Sequence, residues 1–145
     1  MYPPTGFQFR IIFEGLDDPN QADSHFLSIS GLEVWMDRQD AQAEFTEPVP
    51  RVGFSPLLLR RSVRNQHESA LTRWIFSHIK EKNGKPLPQA KIELLDDQLR
   101  PYMSWTIYQL TPLSWRLGEL NAERSEVLIE TIELEYKEIS VFSTF

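Results

Sequence analysis

Apolar residues recur at every second position near the start of the chain. Phe7, Phe9, Ile11 and Phe13 alternate with Gln8 and Arg10, which predicts a half-buried strand. Residues 15–23 are turn-forming types and end it. Leu27 and Ile29 open a second strand, Ser30-Gly31 reads as a bulge or bend, and Leu32, Val34 and Met36 share one face beyond it. The polar stretch 37–52 has a strand-like centre at 43–45 and carries Phe45, Pro48, Pro50 and Arg51. Two prolines exclude a central strand, so it reads as a protruding hairpin or long loop. Leu57, Leu58 and Leu59 begin another strand that runs to Val63.

One helix is predicted. Leu71, Trp74, Ile75, His78 and Ile79 fall at i, i+3, i+4, i+7 and i+8, a single apolar stripe. Asn65 with Glu68 forms an off-consensus capping box, and Ser69 is the rival cap. Lys80 and Lys82 suit the negative end of the helix dipole, and Gly84 with Pro86 stops the helix. Strand patterns then resume: Ile92 and Leu94, a turn at Asp96-Asp97-Gln98, then Met103, Trp105 and Ile107. Pro112 is expected to break that run before Leu113, Trp115 and Leu117 resume it. A last long strand spans 126–139, with Leu128, Ile132, Leu134 and Tyr136 on one face and Glu130 interrupting it. Four strands, a helix and four strands give an α+β, mainly β class: an antiparallel barrel or sandwich with one flanking helix, in a single domain over 1–145.

The 145 residues are 41% hydrophobic and 25% charged, which excludes wholesale disorder. With no cysteine there is no disulfide scaffold, zinc ribbon or thiol catalysis. No apolar run reaches 18 residues and the N-terminus lacks a leader pattern, so neither a membrane span nor a signal peptide is expected. The net charge of −6 argues against a surface that seeks nucleic acid, but its distribution matters more. Residues 1–50 carry net −7, 51–85 net +6, 86–118 zero and 119–145 net −5. Such blocks are solvated faces, or they pair segments of one chain or neighbouring copies head to tail.

The candidate chemistry is sparse. His25, His67 and His78 have no metal-ligand spacing, and His78 lies on the apolar stripe as a packed side chain. Asp17, Asp18, Asp23 and His25 lack the closing glutamate and turn glycine of a calcium loop and read as a solvated turn. Asp96-Asp97 reads as a tight hairpin rather than a catalytic pair, because adjacent turn residues do not converge on one atom. Nucleotide-cradling and nucleophile-elbow motifs are missing, and no cofactor is expected. Arg60, Arg61 and Arg64 form a basic cluster without interleaved aromatics, which suits an intersubunit ion-pair surface better than a nucleic-acid patch. Trp74, Trp105 and Trp115 lie on apolar faces as core, leaving Trp35 free for function. Val141, Phe142 and Phe145 continue beyond Tyr136, either capping the subunit's own core or docking on a partner.

An ordered set of segments adds to this reading. It comprises Tyr2 to Phe9 (YPPTGFQF), Ser30-Gly31-Leu32-Glu33, Leu57 and Leu59 with Arg60-Arg61, the helix with Leu71 and Trp74, then Ile92, Leu94, Trp105, Pro112 and Trp115. It closes with Asn121-Ala122, Glu126-Val127, Ile129-Glu130, Ile132-Glu133-Leu134 and Tyr136. Over nearly its whole length the chain resembles the tail tube family of contractile phage tails and phage-like injection particles. It departs at the hairpin tip, where Ala41-Gln42-Ala43 replaces a glycine-rich turn, and at Ser62, where the family has glycine. The resemblance implies a non-enzymatic subunit whose copies close into hexameric rings that stack into a hollow inner tube for DNA or protein cargo. It implies sheath, baseplate and spike partners, assembly in the bacterial cytoplasm, no sequence-specific nucleic-acid contact and no membrane anchor. Trp35, Phe45, Pro48, Pro50, Arg51, Arg60, Arg61, Phe142 and Phe145 are the interface residues expected on this reading. The alternatives are a tube-initiator ring joining tube to spike, a ring protein of type VI secretion, and a small enzyme or carbohydrate-binding module.

Overall fold

The computed structural model describes residues 8–18, 21–38, 50–81, 84–124 and 126–143. Five strands precede the helix: β1 (Gln8–Glu14), β2 (Ser28–Ser30), β3 (Val34–Arg38), β4 (Pro50–Phe54) and β5 (Leu57–Ser62). The helix α1 (Ala70–Lys80) is followed by β6 (Leu87–Leu95), β7 (Pro101–Leu117), β8 (Ile129–Glu135) and β9 (Glu138–Ser143). All pairings are antiparallel. The main sheet runs β1-β6-β7-β8-β5-β2, with β9 also on β7, while β3 and β4 form a separate pair.

Strand β7 organises the molecule. Its first half pairs with β6 and β9, and its second half with β8. Gln109 takes a left-handed φ of 59° and the register shifts between Pro112 and Ser114. The chain therefore bends from one leaf into the other without ending. Pro112 does not break the strand as expected, because a bulge excuses it from donating to the ladder. Conversely, the single strand expected over 126–139 is two, β8 and β9, which follow β7 around its bend.

The core lies between the leaves. Ile11, Ala90, Ile92 and Ile107 face Leu57, Leu59, Ile132 and Leu134, with Leu71 and Ile75 of α1 joining them. Each fully buried aliphatic side chain contributes roughly 1.5–3 kcal/mol. The helix starts at Ser69, whose Oγ accepts the Thr72 N–H at 3.0 Å; Asn65 instead caps the turn before it by accepting from His67 and Glu68. Ile79, expected on the buried stripe, is exposed at the helix end. Trp74, Trp105 and Trp115 pack against the core, as their positions imply. Among the described residues no helix is long and apolar enough to cross a membrane.

Candidate subunit interface

The β2–β5 hairpin continues outward as an arm. Beyond Ser30↔Leu58 the chains kink at Gly31, then pair again from Val34↔Phe54 to Arg38↔Pro50. Gly31 has φ +89°, and a Cβ there would run into the carbonyl oxygen of Pro56. Only glycine permits that close approach in that conformation. At the arm's base Phe54 packs on Tyr136 at 5.6 Å between ring centroids, and the Tyr136 hydroxyl faces the Gly31 carbonyl at 3.5 Å.

Side chains on the arm segregate by face. Val34, Met36 and Val52 form one apolar face that is largely open, Met36 being 75% exposed. On the other face the Trp35 indole lies over Gly53, where no side chain intervenes, and Asp37 stands opposite Arg51. Trp35 is thus half-open, held by its backbone platform rather than by the core. Arg51 is exposed, and Pro50 pairs with Arg38 through the register. Phe45, Pro48 and Phe145 lie outside the described residues.

A second open surface is β9, which pairs only with β7 among the described strands. A separate strand follows Tyr136, and Phe142 in it does not cap the core: it is 63% exposed beside an exposed Val141. Arg60 is exposed and shares its face of the sheet with Arg116, across Thr131.

Arg61 corrects the sequence reading. Alternation along β5 turns Leu57, Leu59 and Arg61 inward, so Arg61 is 2% exposed and is no part of an open ion-pair surface. Its Nε donates to Glu130 Oε2 at 2.9 Å and its Nη1 to Asp23 Oδ1 at 2.6 Å. Its Nη2 donates to Ser69 Oγ at 2.8 Å and Thr72 Oγ1 at 3.2 Å, and the guanidinium sits 5.1 Å over the Phe26 ring. Two buried carboxylates face one guanidinium, and N–H donors compensate the second charge. Glu130 also accepts from Arg64 N–H and from Trp115 Nε1 at 2.7 Å. Asp23 accepts from Ser69 Oγ and from Leu71 N–H in the first turn of α1, the positive end of its dipole. Asp23 is therefore not part of a solvated turn. The signals were Glu130 on an apolar strand face and Arg61 at the inward period of β5; nothing local marks Asp23.

No group of three or more His, Asp or Glu residues among those described is placed to hold a metal ion. His78 packs edge-on against Trp74 at 4.9 Å, its Nδ1 3.1 Å from the Trp74 carbonyl oxygen. A cavity of about 190 Å³ at the β7–β8 connection is lined by Asn121, Arg124, Glu126 and Leu128 among others. These groups do not assemble a nucleophile with a base.

Several solved structures share this fold. A chain of the anti-feeding prophage baseplate, 6-fold symmetrised, is 28% identical with a TM-score of 0.68, covering 99% of this chain and 98% of its own. A chain of the sheath–tube complex of the extracellular contractile injection system PVC, in its extended state, is 20% identical with a TM-score of 0.74, covering 99% and 93%. Hcp1 from Salmonella typhimurium is 16% identical with a TM-score of 0.59, covering 94% and 86%. No curated protein sequence matches the chain. The pattern of the T4-like virus tail tube protein gp19 family extends over residues 4–140, and the chain belongs to that family: a structural tube protein of contractile injection systems rather than an enzyme.

Proposed function

We propose that six copies of this chain close into a ring and that rings stack into the hollow inner tube of a contractile phage-like particle. The tube conducts DNA or protein cargo, sits inside a sheath, and is assembled with baseplate and spike in the bacterial cytoplasm as one 145-residue domain. The observation that carries this reading is that a family fold leaves two apolar surfaces open: the Val34–Met36–Val52 face of the arm and the Val141–Phe142 edge of β9. Burying such side chains against a neighbouring copy gains roughly 1.5–3 kcal/mol apiece before ordering costs. Trp35, Arg51, Arg60 and Phe142 are the interface residues this reading keeps, and Phe45, Pro48, Pro50 and Phe145 stay in it on the sequence alone. Arg61 acts from inside.

The baseplate chain of 28% identity supports a second reading, in which the ring sits at the tube's base and joins it to the spike. Immunogold labelling of isolated particles separates the two: label along the tube supports the first, label at one end the second. For either ring, Met36→Glu with Phe142→Glu replaces exposed side chains and leaves the monomer's melting temperature unchanged. Sedimentation should show association weakened at least about a hundredfold. Association equal to the parent's contradicts the reading.

A further inference from the structure

Of the sheet's outer edges, β2 is three residues long, β9 and residues 111–117 of β7 have no second partner among the described strands, and β1 is covered. The Ile11 N–H, which faces away from β6, donates to the Ser24 carbonyl at 3.0 Å. The covering segment is a small hook with its own internal bonds. Asp18 accepts from the Ala22 and Asp23 N–H groups at 2.8 and 3.1 Å, Ser24 Oγ donates to the Gln21 carbonyl, and Gln21 takes a left-handed φ of 50°.

A cavity of about 90 Å³ lies between the hook and β1, lined by Ile11, Ile12, Phe13, Asp18, Gln21, Asp23 and Ser24. What reaches across is Asp23, 1% exposed, whose carboxylate is gripped by Arg61, Ser69 and the Leu71 N–H. Arg61 is in turn fixed by Glu130 on β8. The edges differ in chemistry as well. β1 carries Arg10 and Glu14, whereas β9 (Glu-Ile-Ser-Val-Phe-Ser) carries the single charge of Glu138 at its start and no proline.

We propose that the Asp23–Arg61–Glu130 cluster is a positioning device for assembly: it clamps the 21–24 hook over the outer edge of β1, so that a second copy meets the hook there rather than a bare strand. Among the described strands β9 and the second half of β7 are thereby left as the open edges. Buried ion networks of this kind add little net stability compared with apolar replacements, but they fix one arrangement among several. Here the arrangement fixed is which edge accepts a neighbour, the difference between a closing ring and open strand-by-strand growth. The proposal builds on the reading that copies associate, and its test begins below the concentration at which they do.

The test is amide hydrogen exchange at Ile11 in dilute parent and Asp23→Asn chains, followed by concentration. Loss of the Asp23 charge should speed Ile11 exchange about a hundredfold while Ile107 in the core keeps its protection. On concentration the variant should give polydisperse species that bind a β-aggregate dye, where the parent does not. Where Asp23→Asn fails to fold, the triple variant Asp23→Leu, Arg61→Met, Glu130→Leu supplies an apolar core at that site, with the same readouts expected. Unchanged Ile11 exchange overturns the clamp. Faster Ile11 exchange with assembly identical to the parent's overturns its positioning role. A parent that stays monomeric contradicts the ring reading instead, and Ile11 exchange still decides the clamp.

Discussion

Gly31→Ala tests the geometry that aims the arm. Gly31 holds φ +89°, where an L side chain costs about 1–2 kcal/mol. The new Cβ would also collide with the Pro56 carbonyl oxygen, with the Pro56 carbon 3.1 Å and Leu57 Cα 3.4 Å away. All three are backbone atoms, so the strain cannot be relieved by turning a flexible side chain. The 55–57 segment must move, at the expense of Ser30↔Leu58 and the Ser55 N–H to Glu33 carbonyl bond at 3.0 Å. Losing that pairing and that bond adds about 1–3 kcal/mol, for roughly 2–5 kcal/mol in all. For a chain of this length that lowers the melting temperature by about 7–16 °C. The assay is urea and thermal unfolding beside Gly118→Ala, whose Cβ would meet nothing closer than the Ile129 carbonyl oxygen at 3.4 Å. The control should stay within about 1 kcal/mol of the parent, the ordinary cost of a mild surface change. A Gly31→Ala chain as stable as the control refutes the argument that the kink needs glycine.

Trp115→Phe leaves the buried Glu130 Oε1 without its 2.7 Å donor and should cost about 1–3 kcal/mol in urea unfolding; an unchanged midpoint would contradict this. The Asp96 carboxyl is held below its ordinary 3.8, chiefly by the Arg100 backbone N–H; desolvation opposes this, and the Gln98 N–H and the Arg100 guanidinium restore the balance downward. Its contribution is therefore complete above the ordinary value and lost as pH falls through the lowered one, so the Gln98 and Arg100 amide resonances should titrate with a midpoint below 3.8. A midpoint at or above it would refute that reading. Burial pushes the Tyr136 phenol above 10.0, opposed by a backbone hydrogen bond at Glu33 and aided by the Glu33 charge. The arm's base is stabilised below 10.0 and loosens as pH rises through the raised value. Tyrosine absorbance should show one late ionisation that Tyr136→Phe removes, and its persistence in that variant would contradict the assignment.

Much of the fold is legible locally. Strict alternation marks β1 and β5, and a 3.6-residue stripe marks α1, because each element buries one face. Ser30-Gly31 announces the kink, since few other residues would be placed where the backbone must turn back on Pro56. Continuity across Pro112 is not legible, because the bulge that tolerates proline depends on the bend of the whole sheet. Ile79 continues the helical stripe in sequence, yet the helix ends beside it and nothing packs there. The buried cluster is the largest gap. Arg61 and Glu130 are 69 residues apart and Asp23 lies 38 residues before Arg61, so their charges look like surface charges until the pairing β5–β8 brings them together. The periodicity does place Arg61 and Glu130 on inward faces, and an arginine and a glutamate both at inward strand positions have no inexpensive partner but each other.

Tube formation is tested most directly by negative-stain electron microscopy of the purified parent chain, paired with light scattering across a concentration series. The account predicts annular particles with six-fold class averages and a mass near six times the 17.0 kDa subunit, with end-on rings joining into short tubes at the highest concentrations. A single 17.0 kDa species at every concentration, or closed rings of another symmetry, would contradict it.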